Sequence, residues 1–433
     1  MKVFFKTFGC RSNLFDTQVM IANLKEHQCV QSEEEADIIV INSCTVTNGA
    51  DAGVQGYINK FKNGDKKIFF TGCGVQSKGK PNYDKNLLQG VFPHSLKEQI
   101  HTLLKQKQRF FYTENFPKHI DSTIVESFVG KQRAFIKIQE GCDFACNYCI
   151  IPSVRGGARS FPKRAILEQI KRLIDCGVSE IILSGTNVGS WGKDLDNENL
   201  ARLLREIFAI SGLKRVRIGS LEPSQIDSEF LDIAMHEKLE RHLHIALQHT
   251  SDTMLAIMNR KNRVQSDLAL FNHLAQKGFF LGTDFIVAHP GEDRVVWEEA
   301  VANFKEFKLT HLHPFIYSPR TNTPSSTMKN TTKGDEAKAR LHLLKSIVAQ
   351  ENLKARQKLA HLQTPLKVLI ESKRKQAHFE NADSNAGESF VGLDQFFNKV
   401  SITNHSPTST LKVGDWIEVT QYEVTQEGTY AKI

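Results

Sequence analysis

The sequence predicts an α/β protein in three parts: an N-terminal α/β domain on a parallel sheet, a central partial (β/α)6 barrel and a small C-terminal antiparallel β-barrel. Three observations predict this. β-rich runs that each end in a cysteine open the chain; six strand-like runs alternating with amphipathic helical stretches follow; short strands separated by turn residues close it. At 433 residues the chain exceeds one ordinary hydrophobic core, so several domains are expected.

In the first part, "KVFFKTFGC" ends at Cys10, "ADIIVINSC" at Cys44 and "KKIFFTGC" at Cys73. A helix-like segment from Asp16 to about His27 lies between the first two, as a crossover between parallel strands requires. Ligands of such sheets bind outside the carboxyl ends of the strands, so cysteines just after three strands converge on one edge. The plainer reading is three buried free cysteines. "FPKHIDST", near residue 116, reads as a linker and sets domain bounds of 1–115, 132–363 and 364–433 around a linker at 116–131.

The central strands are "AFIKIQ", "EIILSG", "RVRIGS", "LHIALQ", "FFLGTDFIVA" and "LHPFIYS". Helical stretches separate them, such as "KRAILEQIKRLIDCG" and "SDLALFNHLAQKG", the latter ending at Gly278 as a helix C-cap should. Chemistry in such barrels sits at the C-terminal ends of the strands. Residues 334–363 read as a long basic helix, and "PLKVLIESKRKQ", "ESFVGLD", "KVSITN", "DWIEVTQYEV" and "GTYAKI" as the last strands.

The formal charge of +8 suits a polyanionic partner. Its distribution is uneven: over 333–363 basic residues outnumber acidic ones seven to three, whereas over 364–433 acidic ones lead nine to seven. No apolar run reaches membrane-spanning length and "MKVFFKTFGC" lacks the features of a signal peptide, so a cytoplasmic protein, monomeric by default, is expected. In that reducing compartment, eight cysteines favour metal-binding or catalytic roles over disulfides.

Cys142, Cys146 and Cys149 follow the spacing CxxxCxxC in "IKIQEGCDFACNYCIIPSVRGGARS". Structural thiolate sites usually close with four ligands. Three thiolates after a strand can instead hold three irons of a four-iron four-sulfur cluster and leave the fourth iron open. Zinc is the rival metal, but no fourth thiolate or imidazole stands nearby in the sequence.

"KIQEGCDFACNYCIIPSVRG" resembles the signature of the radical S-adenosylmethionine enzymes, and more closely their methylthiotransferase branch. "TFGCRSNLFDTQ", "INSCTVTNGAD" and "TGCGVQ" resemble that family's N-terminal cysteine motifs, and "PLKVLIE" onward its C-terminal TRAM RNA-binding module. The resemblance implies two [4Fe-4S] clusters, one on Cys142, Cys146 and Cys149 with S-adenosylmethionine on its open iron, and an auxiliary one on Cys10, Cys44 and Cys73. "CRSN" and "NSCTVTN" look most like the enzymes specific for N6-threonylcarbamoyladenosine in tRNA, less like the isopentenyladenosine or ribosomal-protein branches. The implied partners are a tRNA anticodon stem-loop, modified at position 37, and an electron donor such as flavodoxin or ferredoxin. The alternative of another class is an RNA-binding protein stabilised by zinc.

By the same likeness Tyr148 meets the adenine of the cofactor through its backbone, and Gln248 lines the cavity. Gly185 and Asn187 end the second barrel strand, where a backbone without a bulky side chain approaches the methionine end. Ser220 and Glu222 end the third, placed to hydrogen-bond the cofactor's ribose or ammonium, although Glu222 beside Pro223 also suits a helix cap. Arg155 and Arg159 in "RGGARS" are candidate contacts of RNA phosphate or of the S-adenosylmethionine carboxylate, and Lys373, Arg374 and Lys375 candidate RNA-phosphate contacts. His289 and the pairs His242/His244 and His311/His313 read as strand-end, packing or solvent-facing histidines, with metal binding possible for the pairs. Cys29 and Cys176 read as buried packing residues.

Overall fold

The computed structural model describes residues 1–113, 121, 123, 125, 132–374, 388–404 and 411–433. Most of the linker read at 116–131, Lys375 and the side chain of Arg374 lie outside the described residues.

The first sheet is wholly parallel and comprises β1 (Lys2–Thr7), β2 (Gln28–Cys29), β3 (Ile38–Ser43), β4 (Lys67–Gly72), β5 (Gly90–Val91) and β6 (Phe110–Phe111), in the order β2-β1-β3-β4-β5-β6. Its core strand, "IIVINS", has no accessible surface on Ile38, Ile39, Val40 or Ile41, because helices cover both faces. The strand order reverses between β1 and β3, and the crevice outside that reversal is where such sheets take ligands. Cys10 and Cys44 follow those two strands directly.

The helix after β1 spans Arg11–Ala22, five residues earlier than the sequence suggests. Its first turn is held by Asn13, whose Nδ2 donates to Phe8 O and to Ser43 O, both at 2.8 Å, tying together the ends of β1 and β3.

Six parallel strands form the central domain in two sheets, β7 (Arg133–Glu140), β9 (Glu180–Gly185) and β10 (Arg215–Ile218) in one, β11 (His242–His244), β12 (Phe280–Val287) and β13 (His311–Ile316) in the other. The short β8 (Arg159–Ser160) runs antiparallel beside β7. Single parallel bridges, Val216 to Leu239 and Leu221 to Ile245, join β10 to the β11 side. The result is a partial barrel. Alternate residues such as Ile136, Ile181, Val216, Leu243 and Phe285 pack outward into one large core, while their neighbours face the barrel interior.

The last sheet is a curled one of β14 (Leu366–Arg374), β15 (Glu388–Leu393), β16 (Lys399–Asn404), β17 (Trp416–Val419), β18 (Tyr422–Val424) and β19 (Thr429–Lys432). It is antiparallel except for the pair β16–β19. This sheet closes the end of the barrel where the strands begin: Arg215 donates to Lys367 O (2.9 Å) and Leu393 O (3.0 Å), and Arg217 to Asp394 O (2.8 Å). Phe397 stacks on His242 at 5.0 Å. Among the described residues, no helix is long and apolar enough to cross a membrane.

Candidate active site between two cysteine triads

One cavity of about 610 Å³ is lined by all six cysteines that follow the strand ends and the CxxxCxxC loop: Cys10, Cys44, Cys73, Cys142, Cys146 and Cys149. No cysteine forms a disulfide. The first triad stands at the carboxyl edge of the N-terminal sheet, the second in the loop after β7, so the two domains face each other across the cavity. Glycine makes the first approach possible. Gly9 has φ +98°, and a Cβ there would lie 2.9 Å from Cys44 Sγ.

Burial pushes the Cys142, Cys146 and Cys44 thiols up, Cys73 to about 11 and Cys149 to about 12. Thiols so placed ionise only when a cation shares the site, which a metal cluster supplies. Two groups already aim donors at the sulfurs: Arg155 Nε at Cys73 Sγ (3.2 Å) and Asn187 Nδ2 at Cys142 Sγ (3.7 Å). The residues therefore fit three-thiolate cluster sites.

Tyr148, Gly185, Asn187, Ser220, Glu222 and Gln248 all line this cavity beside Cys142, Cys146 and Cys149. Gln139 organises part of that wall: its Oε1 accepts from Asn187 N (2.8 Å), and a Cβ on Gly185 would press on Gln139 O at 2.9 Å. Gln225 donates to Asn187 Oδ1 (2.8 Å) and holds the amide toward Cys142. Glu222 is paired with Arg260, whose Nη2 lies 2.5 Å from Glu222 Oε2. Gln248 has φ +65°, a conformation that costs energy and recurs where a site demands it. Its N–H donates to Asp284 O (3.0 Å), which fixes the side chain at the end of β11.

Several expectations need correction. Arg155, read as an RNA contact, is 1% exposed and enclosed by Cys73, Asn13, Asp16 and Glu140, out of reach of a phosphate on the surface. Arg159 is partly buried, donates to Arg155 O (2.8 Å) and lies 3.5 Å from Glu140. Lys373 is exposed and pairs with Glu388. His289 is fully buried: one ring nitrogen meets Pro290 O and the other Ser325 Oγ, each at 2.8 Å, and burial drives its pKa down to about 4. It stands behind Tyr148, in edge contact with that ring. Ala288, before it, takes φ +60°, a position that suits glycine. Cys176 is exposed and Cys29 only partly buried.

The four paired histidines turn into the barrel. His242 and His311 pack under Phe397, while His244 Nε2 lies 3.1 Å and His313 Nδ1 3.5 Å from Asp284 Oδ1. Burial opposes the Asp284 charge, but the two imidazoles hold that carboxyl well below the usual carboxylate range.

Sequence reasoning missed the ionic cluster that joins the domains behind the cavity. Lys137 Nζ contacts Asp16 (2.6 Å), Asp121 (3.0 Å) and Glu140 (3.1 Å), Lys97 contacts Asp121 (2.5 Å), and Arg155 contacts Asp16 (3.0 Å) and Glu140. Three buried cations thus face three carboxylates, with the half-buried Arg159 at the edge of the cluster, 3.5 Å from Glu140. The available signal was a lysine at alternate spacing inside the apolar strand "AFIKIQE".

Known proteins place this geometry. Residues 2–91 match the Uncharacterized protein family UPF0004, and residues 136–303 the Radical SAM superfamily. A Helicobacter pylori protein named as a methylthiotransferase is 52% identical over 99% of both chains. The Bacillus subtilis threonylcarbamoyladenosine tRNA methylthiotransferase MtaB is 32% identical, covering 92% of this chain and 89% of its own. The Clostridium novyi tRNA-2-methylthio-N(6)-dimethylallyladenosine synthase is 31% identical over 86% of each. In fold, the radical S-adenosylmethionine methyltransferase TsrM of Kitasatospora setae matches with a TM-score of 0.57 over 75% of this chain and 77% of its own, at 12% identity. These relatives replace the reading of a zinc-stabilised RNA-binding protein with that of an enzyme. Two cysteine triads facing one cavity, on a radical S-adenosylmethionine fold with full-length relatives of this kind, make the chain a member of the radical S-adenosylmethionine methylthiotransferase family.

Proposed function

We propose that the protein methylthiolates N6-threonylcarbamoyladenosine at position 37 of tRNA. Cys142, Cys146 and Cys149 hold the [4Fe-4S] cluster that binds S-adenosylmethionine, and Cys10, Cys44 and Cys73 hold a second. When bound, these groups supply the reductive cleavage, the methyl group and the sulfur chemistry that side chains lack. An electron donor such as flavodoxin or ferredoxin provides the reducing equivalent. The chain itself orients cofactor and base: Asn187 and Arg155 steady one sulfur in each triad, Gly185 admits close approach, and Glu222, Ser220 and Gln248 offer polar atoms to the cofactor.

The observation that carries the substrate reading is a polar patch in an otherwise largely apolar cavity. Arg11, His244, Asp284 and His313 form it. A dimethylallyl group would strip Arg11 and the exposed His313 of water and return no hydrogen bond. A threonylcarbamoyl group, with its carboxylate, hydroxyl and urea, offers them partners.

The anticodon stem-loop enters past Val46, Phe315 and Ile316, exposed apolar residues on the cavity rim suited to unstacked bases. Because the acidic C-terminal sheet docks on the opposite end of the barrel, the N-terminal domain, the barrel and the basic helix Gly334–His361 hold most of the RNA, with the exposed Lys373 at the periphery. Deleting the gene and analysing tRNA nucleosides by mass spectrometry tests this. The 2-methylthio derivative of threonylcarbamoyladenosine is expected to vanish while its precursor accumulates; an unchanged level, or loss of the dimethylallyl derivative instead, refutes it.

A further inference from the structure

We infer that Arg11 is the cation that reads the carboxylate of the N6-threonylcarbamoyl group, and so sets the enzyme's preference for an anionic adduct on the base. The inference rests on the substrate reading above. Arg11 directly follows Cys10, is the first residue of the helix Arg11–Ala22 and lines the cavity. Its guanidinium lies 5.7 Å from the centre of the Phe135 ring.

Arg11 stands apart from the other arginines of this region. Arg155, Arg215, Arg217, Arg260 and Arg320 each engage a carboxylate. Among the described residues, Arg11 has no hydrogen bond or ion pair, only the ring of Phe135. Glu240, which also lines the cavity, is already engaged by Arg217 and by Ile218 N (3.1 Å), and the nearest remaining negative charge is the sulfur of Cys10, beside Arg11 in the chain.

A partly buried guanidinium with a free fork, facing a cavity, is poorly placed unless an anion arrives there. A cation over an aromatic ring recovers only part of the loss. The substituent on N6 of the base is the one part of the proposed substrate, other than its backbone, that brings a negative charge. Across the cavity, Ser220 Oγ lies 3.4 Å from Asp284 Oδ2, and Asp284 with His244 offers donors and acceptors for the threonyl hydroxyl. Recognition is thus divided between a cation for the carboxylate and a polar cluster for the hydroxyl.

The test uses the reconstituted full-length enzyme and two anticodon stem-loop RNAs, one bearing threonylcarbamoyladenosine and one bearing its carboxamide analogue. Wild type is expected to favour the carboxylate by about tenfold to a hundredfold in kcat/KM, the size of a charge-assisted hydrogen bond. Arg11→Gln should lose that margin, mainly through KM, and leave turnover of the carboxamide within about threefold. Arg11→Lys should recover part of it. If Arg11→Gln slows both RNAs equally, Arg11 serves the fold, a cluster or S-adenosylmethionine, and the inference fails while the substrate reading stands. If wild type turns over neither RNA but accepts a dimethylallyl one, both fail.

Discussion

Replacing Cys146 by alanine is expected to abolish cleavage of S-adenosylmethionine and methylthio transfer, with activity falling by at least about a thousandfold. The size follows from the number of ligands. A site with three thiolates has no spare, so losing one leaves two irons without protein ligands, and the cluster is not retained. Burial raises the Cys146 thiol, and its thiolate is worth forming only with metal beside it. Removal of a side chain that is only partly buried costs little by itself, so the folded state persists. Far-ultraviolet circular dichroism should match wild type, while 5′-deoxyadenosine, measured by liquid chromatography, disappears. Near-normal 5′-deoxyadenosine in Cys146→Ala would remove the triad from the chemistry. Cys10→Ala is expected to differ: on the proposed division of roles, cofactor cleavage continues and the methylthio product is lost.

Arg155→Met is the substitution outside the cysteines with the largest expected effect. Its guanidinium is one of three cations that balance Asp16, Asp121 and Glu140 in a space with almost no solvent. Methionine fills a similar volume but leaves Asp16 and Glu140 short of one partner, and breaking a buried pair in this way costs about 3–5 kcal/mol. The same change removes the donor 3.2 Å from Cys73 Sγ. Anaerobic denaturant unfolding should show the loss of stability, and the N-terminal triad should retain less iron than wild type. Lysine at 155 restores a charge but not the fork that reaches Cys73, Asn13 and Asp16 together, so only part of the stability returns. A change below about 1 kcal/mol with full iron content would show that the network neither joins the domains nor supports the triad.

The sequence made the strands legible because each is a short apolar run bounded by turn residues. Ile38–Ser43 and Phe280–Val287 fall within the runs read for them. The cysteines were legible because their spacing has chemical meaning. The side chains that support them were not. Asn13, Lys137 and Gln139 act by bonding to residues distant in sequence, and a polar residue inside an apolar strand looks the same whether it faces solvent or a buried partner. Arg155 was misread for that reason: a charge after a loop suggests a surface, and only the fold shows Asp16 and Glu140 enclosing it. Arg11 went unnoticed because nothing in the sequence distinguishes an unpaired cation from a paired one.

The central claim is that the two cysteine triads across one cavity each carry an iron-sulfur cluster. Iron and acid-labile sulfide, measured per chain after anaerobic reconstitution, test it most directly. Wild type should contain about eight of each, and the variants lacking Cys10, Cys44 and Cys73 or lacking Cys142, Cys146 and Cys149 about four. Stoichiometric zinc without sulfide, or four irons in wild type that do not fall when Cys10, Cys44 and Cys73 are replaced, would contradict it.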